Sequence, residues 1–162
     1  MICATSNIIN CSIAGPMDNE LEDAINEAYS KGIIVVAATG NDGRNRLLYP
    51  ASYLNCISVG SINKSLEVSP FSNYNVFMTM VAPGDNFVLD INREKIIDSG
   101  TSFSAPLVSG TLALLKEKLK EELGRKPKYS ELYDELIKNC VIVNNIDRIK
   151  QGYGYLDFSA KG

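Results

Sequence analysis

None of the 162 residues is histidine, and that absence closes off more chemistry than any other feature of the composition. A serine or cysteine nucleophile ordinarily hands its proton to an oriented histidine. No complete catalytic set of that kind can be assembled from these residues. Cysteine is sparse: Cys3, Cys11, Cys56 and Cys140 show neither CxxC spacing nor clustering. Without histidine to join them, a zinc site is not expected. Cys11 and Cys56 fall in apolar, strand-like segments where a reduced, buried thiol is the ordinary state. That leans toward a reducing, cytoplasmic compartment. Met1-Ile2-Cys3-Ala4-Thr5-Ser6 lacks the basic and apolar regions of a secretory signal. The apolar runs are short and broken by Gly, Asn and Ser, so no membrane span is expected. A net charge of −3 carries no basic footprint for nucleic acid or an anionic membrane surface. Repeats, low-complexity tracts and internal linkers are missing as well.

What remains is the composition of a globular protein, 45% hydrophobic and 22% charged, in a length suited to one domain or a large piece of one. Ile8 to Ile13 reads as a short buried strand ended by Ala14-Gly15-Pro16. Asp18 is placed to cap a helix with Glu20 and Glu22 in its first turn, and Gly32 to stop it. Ile33 to Ala38 is a continuous apolar run typical of a strand covered on both faces. Strand, helix and strand at crossover spacing predict an α/β fold, a parallel sheet flanked by helices. Further strands are expected at Cys56–Gly60 and Met78–Ala82. Phe87 to Asp98 reads as a hairpin turning at Asn92-Arg93-Glu94. A long helix from about Ser102 to Leu123 starts apolar all round and ends one-sided, with Pro106 near its first turn. Ser130 is expected to cap a last helix through Ile137, and Gly152 to Asp157 to form a closing turn. The mixed charges from Lys116 to Lys138 read as a solvated helix face.

Two places carry possible chemistry. Gly100-Thr101-Ser102 is a tight turn delivering a serine to a helix start. Taken alone, Ser102 is either a capping residue or a nucleophile set where unpaired N–H groups favour negative charge. Thr39-Gly40-Asn41-Asp42-Gly43 is a polar loop at the carboxyl end of the Ile33–Ala38 strand, where ligand sites gather in open α/β sheets. Asn41 is either a turn residue or a polar group aimed at a ligand.

The run Gly100-Thr101-Ser102-Phe103-Ser104-Ala105-Pro106-Leu107-Val108-Ser109-Gly110 closely resembles the nucleophile motif of subtilisin-like serine proteases. Ile9-Asn10-Cys11-Ser12-Ile13-Ala14-Gly15 and Val35-Val36-Ala37-Ala38-Thr39-Gly40-Asn41 resemble two further family segments in the same order. Tyr49-Pro50-Ala51, Phe71-Ser72-Asn73 and Val81-Ala82-Pro83-Gly84 add to the likeness. The resemblance runs from about Ile8 to Asp157 and implies a partial subtilisin-like three-layer fold. It implies that Ser102 is the acyl-forming nucleophile and that Asn41 is the side-chain donor of the oxyanion hole. It also implies that Ser12, Ile13, Ala14 and Gly15, with Ala38, Thr39 and Gly40, bind a peptide or protein substrate. Leu107 stands where relatives usually carry a histidine that is not the catalytic base. Leu48 stands where many have glycine at the floor of the pocket for the side chain before the scissile bond. The family's Asp and His motifs lie upstream of the Ile9–Gly15 segment. Residues 1–162 are therefore expected to be the C-terminal portion of a peptidase domain, inactive alone. Its missing N-terminal portion would be a natural partner. No cofactor is expected; calcium is conceivable in the complete protein but matches no residue here. Two rival readings are a non-catalytic peptide-binding relative and a module that self-associates through uncovered sheet surface.

Overall fold

The computed structural model describes residues 7–91 and 94–159. Residues 1–6, Cys3 among them, Asn92 and Arg93 of the expected hairpin turn, and residues 160–162 lie outside them. The elements run β1 (Ile8–Cys11), α1 (Asn19–Ser30), β2 (Ile34–Ala38), β3 (Cys56–Ile62), β4 (Met80–Pro83), β5 (Phe87–Ile91) and β6 (Glu94–Asp98). Then come α2 (Thr101–Leu123), α3 (Tyr129–Lys138), β7 (Cys140–Val141), α4 (Arg148–Gln151) and β8 (Tyr155–Leu156). One sheet has the order β1-β2-β3-β4-β8-β7, with β1 to β4 and β8 parallel and β7 antiparallel at the far edge. The hairpin β5–β6 stands apart as a second, two-stranded sheet.

Alternation along the strands sorts the core into two layers. Ile34, Val36 and Ala38 join Ile57, Val59, Met80 and Ala82 against Ala105, Val108, Leu112 and Leu115 of α2 and Leu132 and Leu136 of α3. Val35 and Ala37 face the other way, onto Ile25 and Ala28 of α1 and onto Ala51 and Tyr53. Strands covered on both faces must be apolar throughout, and every residue of β2 and β3 is buried. The α/β reading and its helix-flanked sheet hold, with the sheet mixed at one edge.

The helix starts follow local chemistry. Asp18 caps α1, its carboxylate accepting from the Leu21 N–H at 2.9 Å, and Gly32 leaves the helix at φ 67°. Ser130 does not cap α3. The helix begins one residue earlier, and the Glu131 carboxylate accepts from the Lys128 N–H at 2.7 Å while pairing with Arg125. The expected closing turn contains β8, because Gly154 takes φ 102° and turns Tyr155 into register beside Val81.

The Arg125 guanidinium and the Lys128 N–H hold the Glu131 carboxyl well below its usual range, at about 2. A depressed carboxyl stabilises the fold above its unfolded pKa and loses that contribution as pH falls through the folded value. Glu131→Gln is therefore expected to lower the thermal midpoint at neutral pH. The gap to the parent should close as pH falls toward about 2, and equal gaps across a midpoint-versus-pH series would refute a charge-based role.

Candidate active site

Strands β1 and β2 and helix α2 bring three distant segments together at the carboxyl end of the sheet. Gly84, after β4, receives a 2.7 Å hydrogen bond from the Gly100 N–H. A Cβ on Gly84 would lie 2.2 Å from Ser104 Oγ and 2.5 Å from Ser61 Oγ, so only glycine lets the turn before α2 come this close. Thr101, fully buried, opens the helix. Its hydroxyl accepts from the Gly40 N–H at 3.1 Å and donates to Asn41 Oδ1 at 2.9 Å, and its own N–H donates to the same oxygen at 2.9 Å. With its oxygen doubly engaged, the Asn41 amide turns its NH2 group toward the Gly100–Ser102 turn. A Cβ on Gly100 would sit 3.3 Å from Asn41 Nδ2.

Ser102 follows, half-buried, in the first helical turn, where N–H groups have no partner within the helix. Pro106 lies past the first turn, and the N–H it lacks is the one that would otherwise bond the Ser102 carbonyl. That carbonyl instead accepts from Ser12 Oγ at 2.9 Å, while Ser102 Oγ donates to the Ser12 carbonyl at 3.4 Å. The cost of a mid-helix proline is thus offset by a tie between the serine turn and the segment after β1. Asn10 extends the tie, donating to Ser12 Oγ at 2.9 Å and accepting from Ser109 Oγ at 3.0 Å.

A cleft of about 510 Å³ opens beside Ser102, walled by Ala14, Gly15 and Pro16 on one side and Ala38, Gly40 and Asn41 on the other. Reciprocal backbone bonds of 2.9 Å between Gly15 and Tyr49 hold Leu48 into it. Asp42 and Arg46 also line it, ion-paired at 3.0 Å. Of the residues anticipated from sequence, Ser102, Asn41, Ala14, Gly15, Ala38 and Gly40 meet here. Ser12 contributes through its bonds to Ser102, whereas Ile13 points outward, 61% exposed. Thr39 does not line the cleft, and its buried hydroxyl has no partner among the described residues. Thr101 and Asn73 escaped the sequence reading as individual residues, although each stood inside a quoted motif.

Size does not single out this cleft, since others of about 400 and 530 Å³ exist. The first is lined by Tyr29, Tyr53, Tyr129, Tyr133 and Tyr153 at the opposite end of β3 and β4. What sets the cleft beside Ser102 apart from these two is a helix-start hydroxyl together with an aimed amide. The three thiols among the described residues are no rivals: burial raises the pKa of Cys11 and Cys56, and that of Cys140 to about 11, so they stay protonated.

Known proteins show the same arrangement of segments. The Subtilase family profile matches residues 4–155. The chain is 38% identical over 161 residues to the major intracellular serine protease of Bacillus subtilis (strain 168), covering 95% of this chain and 50% of that protein. It is 37% identical over 161 residues to an intracellular serine protease of Paenibacillus polymyxa, covering 95% and 49%. The solved structure of the prenylagaramide maturation protease PagA superposes with a TM-score of 0.84 at 32% identity, over 94% of this chain and 59% of that one. The chain thus spans about half the length of the relatives it matches. Matched across nearly all of its residues in sequence and in fold, it belongs to the subtilase family of serine proteases.

Proposed function

We propose that this chain supplies the nucleophile and the oxyanion-binding half of a serine endopeptidase centre that cleaves peptide bonds by acyl transfer. Ser102 Oγ attacks the scissile carbonyl carbon and gives its proton to a base. The resulting oxyanion is held by Asn41 Nδ2 and the Ser102 N–H. Collapse expels the amine, which takes the proton from the base, and water then releases the acyl group by the reverse sequence. These steps draw on no cofactor. The observation that carries the reading is the pair of hydrogen bonds from the Thr101 N–H and hydroxyl to Asn41 Oδ1, which leaves the amide NH2 group to meet a developing negative charge. With no histidine among the 162 residues, this reading takes the base and its orienting carboxylate from outside them. We propose that they belong to the part of the relatives' length that this chain does not match. Free Cys11, Cys56 and Cys140 and the intracellular relatives favour an intracellular site of action.

The test is to mix the purified chain with the unmatched part of the Bacillus subtilis protein, expected by resemblance to carry the Asp and His motifs. Peptide hydrolysis and fluorophosphonate labelling should appear only in the mixture, and both should vanish with Ser102→Ala. Robust cleavage by the chain alone, or labelling that survives Ser102→Ala, would refute the reading. In the same mixture Asn41→Ala should lower kcat by about 10²–10³, the magnitude known for the corresponding donor in a subtilisin, with little change in KM. An unchanged kcat would leave Asn41 as a turn residue only.

The pocket favours a modest apolar side chain before the scissile bond. Leu48 fills its floor so closely that a Cβ on Gly40 would lie 2.7 Å from Leu48 Cδ1. The Asp42 carboxylate, which could have drawn a basic side chain, is engaged by Arg46. Leu48→Gly should raise turnover of Phe over Leu substrates by roughly tenfold or more. A peptide-library profile of the parent dominated by Phe or Tyr would contradict this assignment.

A further inference from the structure

We infer that Asn73 is a positioning residue for the oxyanion donor, acting on Asn41 through the loop that carries it. The inference rests on the role proposed for Asn41. Asn73 is fully buried, and its side chain uses its whole hydrogen-bonding capacity on one loop. Oδ1 accepts from the Asp42 N–H at 3.0 Å and the Arg44 N–H at 3.1 Å. Nδ2 donates to the Thr39 carbonyl at 3.2 Å and lies 3.4 Å from the Asp42 carboxylate. The Asn73 backbone N–H donates to the Gly40 carbonyl at 3.0 Å, and the neighbouring Phe71 carbonyl accepts from the Gly43 N–H at 2.7 Å. Residues on both sides of Asn41 are therefore gripped by Phe71-Ser72-Asn73, while the Asn41 side-chain oxygen is gripped by Thr101.

The fit is close. Gly40 takes φ 96°, and a Cβ there would lie 2.7 Å from Asn73 Nδ2. The loop thus passes over Asn73 with no room for a side chain. Asn41 is suspended between two anchors: Asn73 sets where its backbone stands, and Thr101 sets which way its amide faces. An oxyanion donor must stand about 2.7–3.1 Å from the developing charge before the reaction begins. A displacement of about 1 Å from a change behind the loop can cost about 10²-fold in rate. Buried amide networks satisfied at every atom suit this task because partial loss leaves unpaired groups that force a rearrangement.

Two measurements test the inference. Amide hydrogen exchange on the chain itself should show Asp42 and Arg44 losing protection in Asn73→Ala while β2 and β3 keep theirs; unchanged protection at both amides would overturn it. In the mixed protease, Asn73→Ala should lower kcat by about 10–10²-fold with KM within about threefold. In the Asn41→Ala background the same substitution should cost less than about threefold, because the group it positions is gone. Asn73→Ser, which keeps a polar group under the loop, serves the same cycle with less demand on folding. An equal kcat loss in both backgrounds would overturn the inference and leave the Asn41 assignment standing. An unchanged kcat in Asn41→Ala alone would overturn both.

Discussion

The two 2.9 Å hydrogen bonds from Thr101 to Asn41 Oδ1 join residues sixty positions apart, and the rest of the site is arranged so that they can form. Their partners sit on different layers of the fold, one at the end of β2 and the other at the start of α2. Nothing local brings these together. The helix is located by Val108, Leu112 and Leu115 seated on Ile34, Val36, Ile57 and Val59. A slip of one helical turn would move Thr101 by about 5.4 Å and break both bonds. Core packing, which contains no chemistry of its own, thus sets the tolerance of the site.

Around that contact the protein accepts local penalties in exchange for geometry. Pro106 removes a helical hydrogen bond, and the carbonyl it frees becomes the anchor for Ser12. Gly84 and Gly40 carry no side chain, so that the backbone can lie close against Ser104 and Ser61 and against Asn73 and Leu48. Thr39, Ser58, Ser61, Ser72, Asn73 and Asn75 are all buried. Burying such groups is costly unless they are paired. Among the described residues, the side-chain hydroxyls of Thr39 and Ser58 have no partner. The apolar layer against α2 and α3 supplies stability, and the polar layer supplies position.

Much of the framework was legible before any coordinates. The unbroken apolar run of β2 read as a strand covered on both faces, and Asp18 and Gly32 marked the ends of α1 by mechanism. Errors fell where context outweighed local preference. Ser130 looked like a cap, yet Glu131 could satisfy an N–H two residues before that serine, so α3 began earlier. The segment from Gly152 read as a turn because Tyr155 and Leu156 are too few to show a period. Only pairing beside β4 makes them a strand.

For the site itself, sequence alone specified the residue types and their order: a serine at a helix start, an amide after a buried strand, glycines where the chain must turn, and no histidine. Those properties are local or compositional, so they survive without a fold. Tertiary structure decided which atoms of those residues are occupied and which are left to act. The structure engages the Asn41 oxygen with Thr101, and Asn73, in the sequence only one member of the Phe71-Ser72-Asn73 likeness, has four hydrogen bonds closed around it. The physical reason is that a hydrogen bond's direction depends on both partners. Here the partners lie thirty to sixty residues apart and meet only once the sheet has formed and the helix has packed across it.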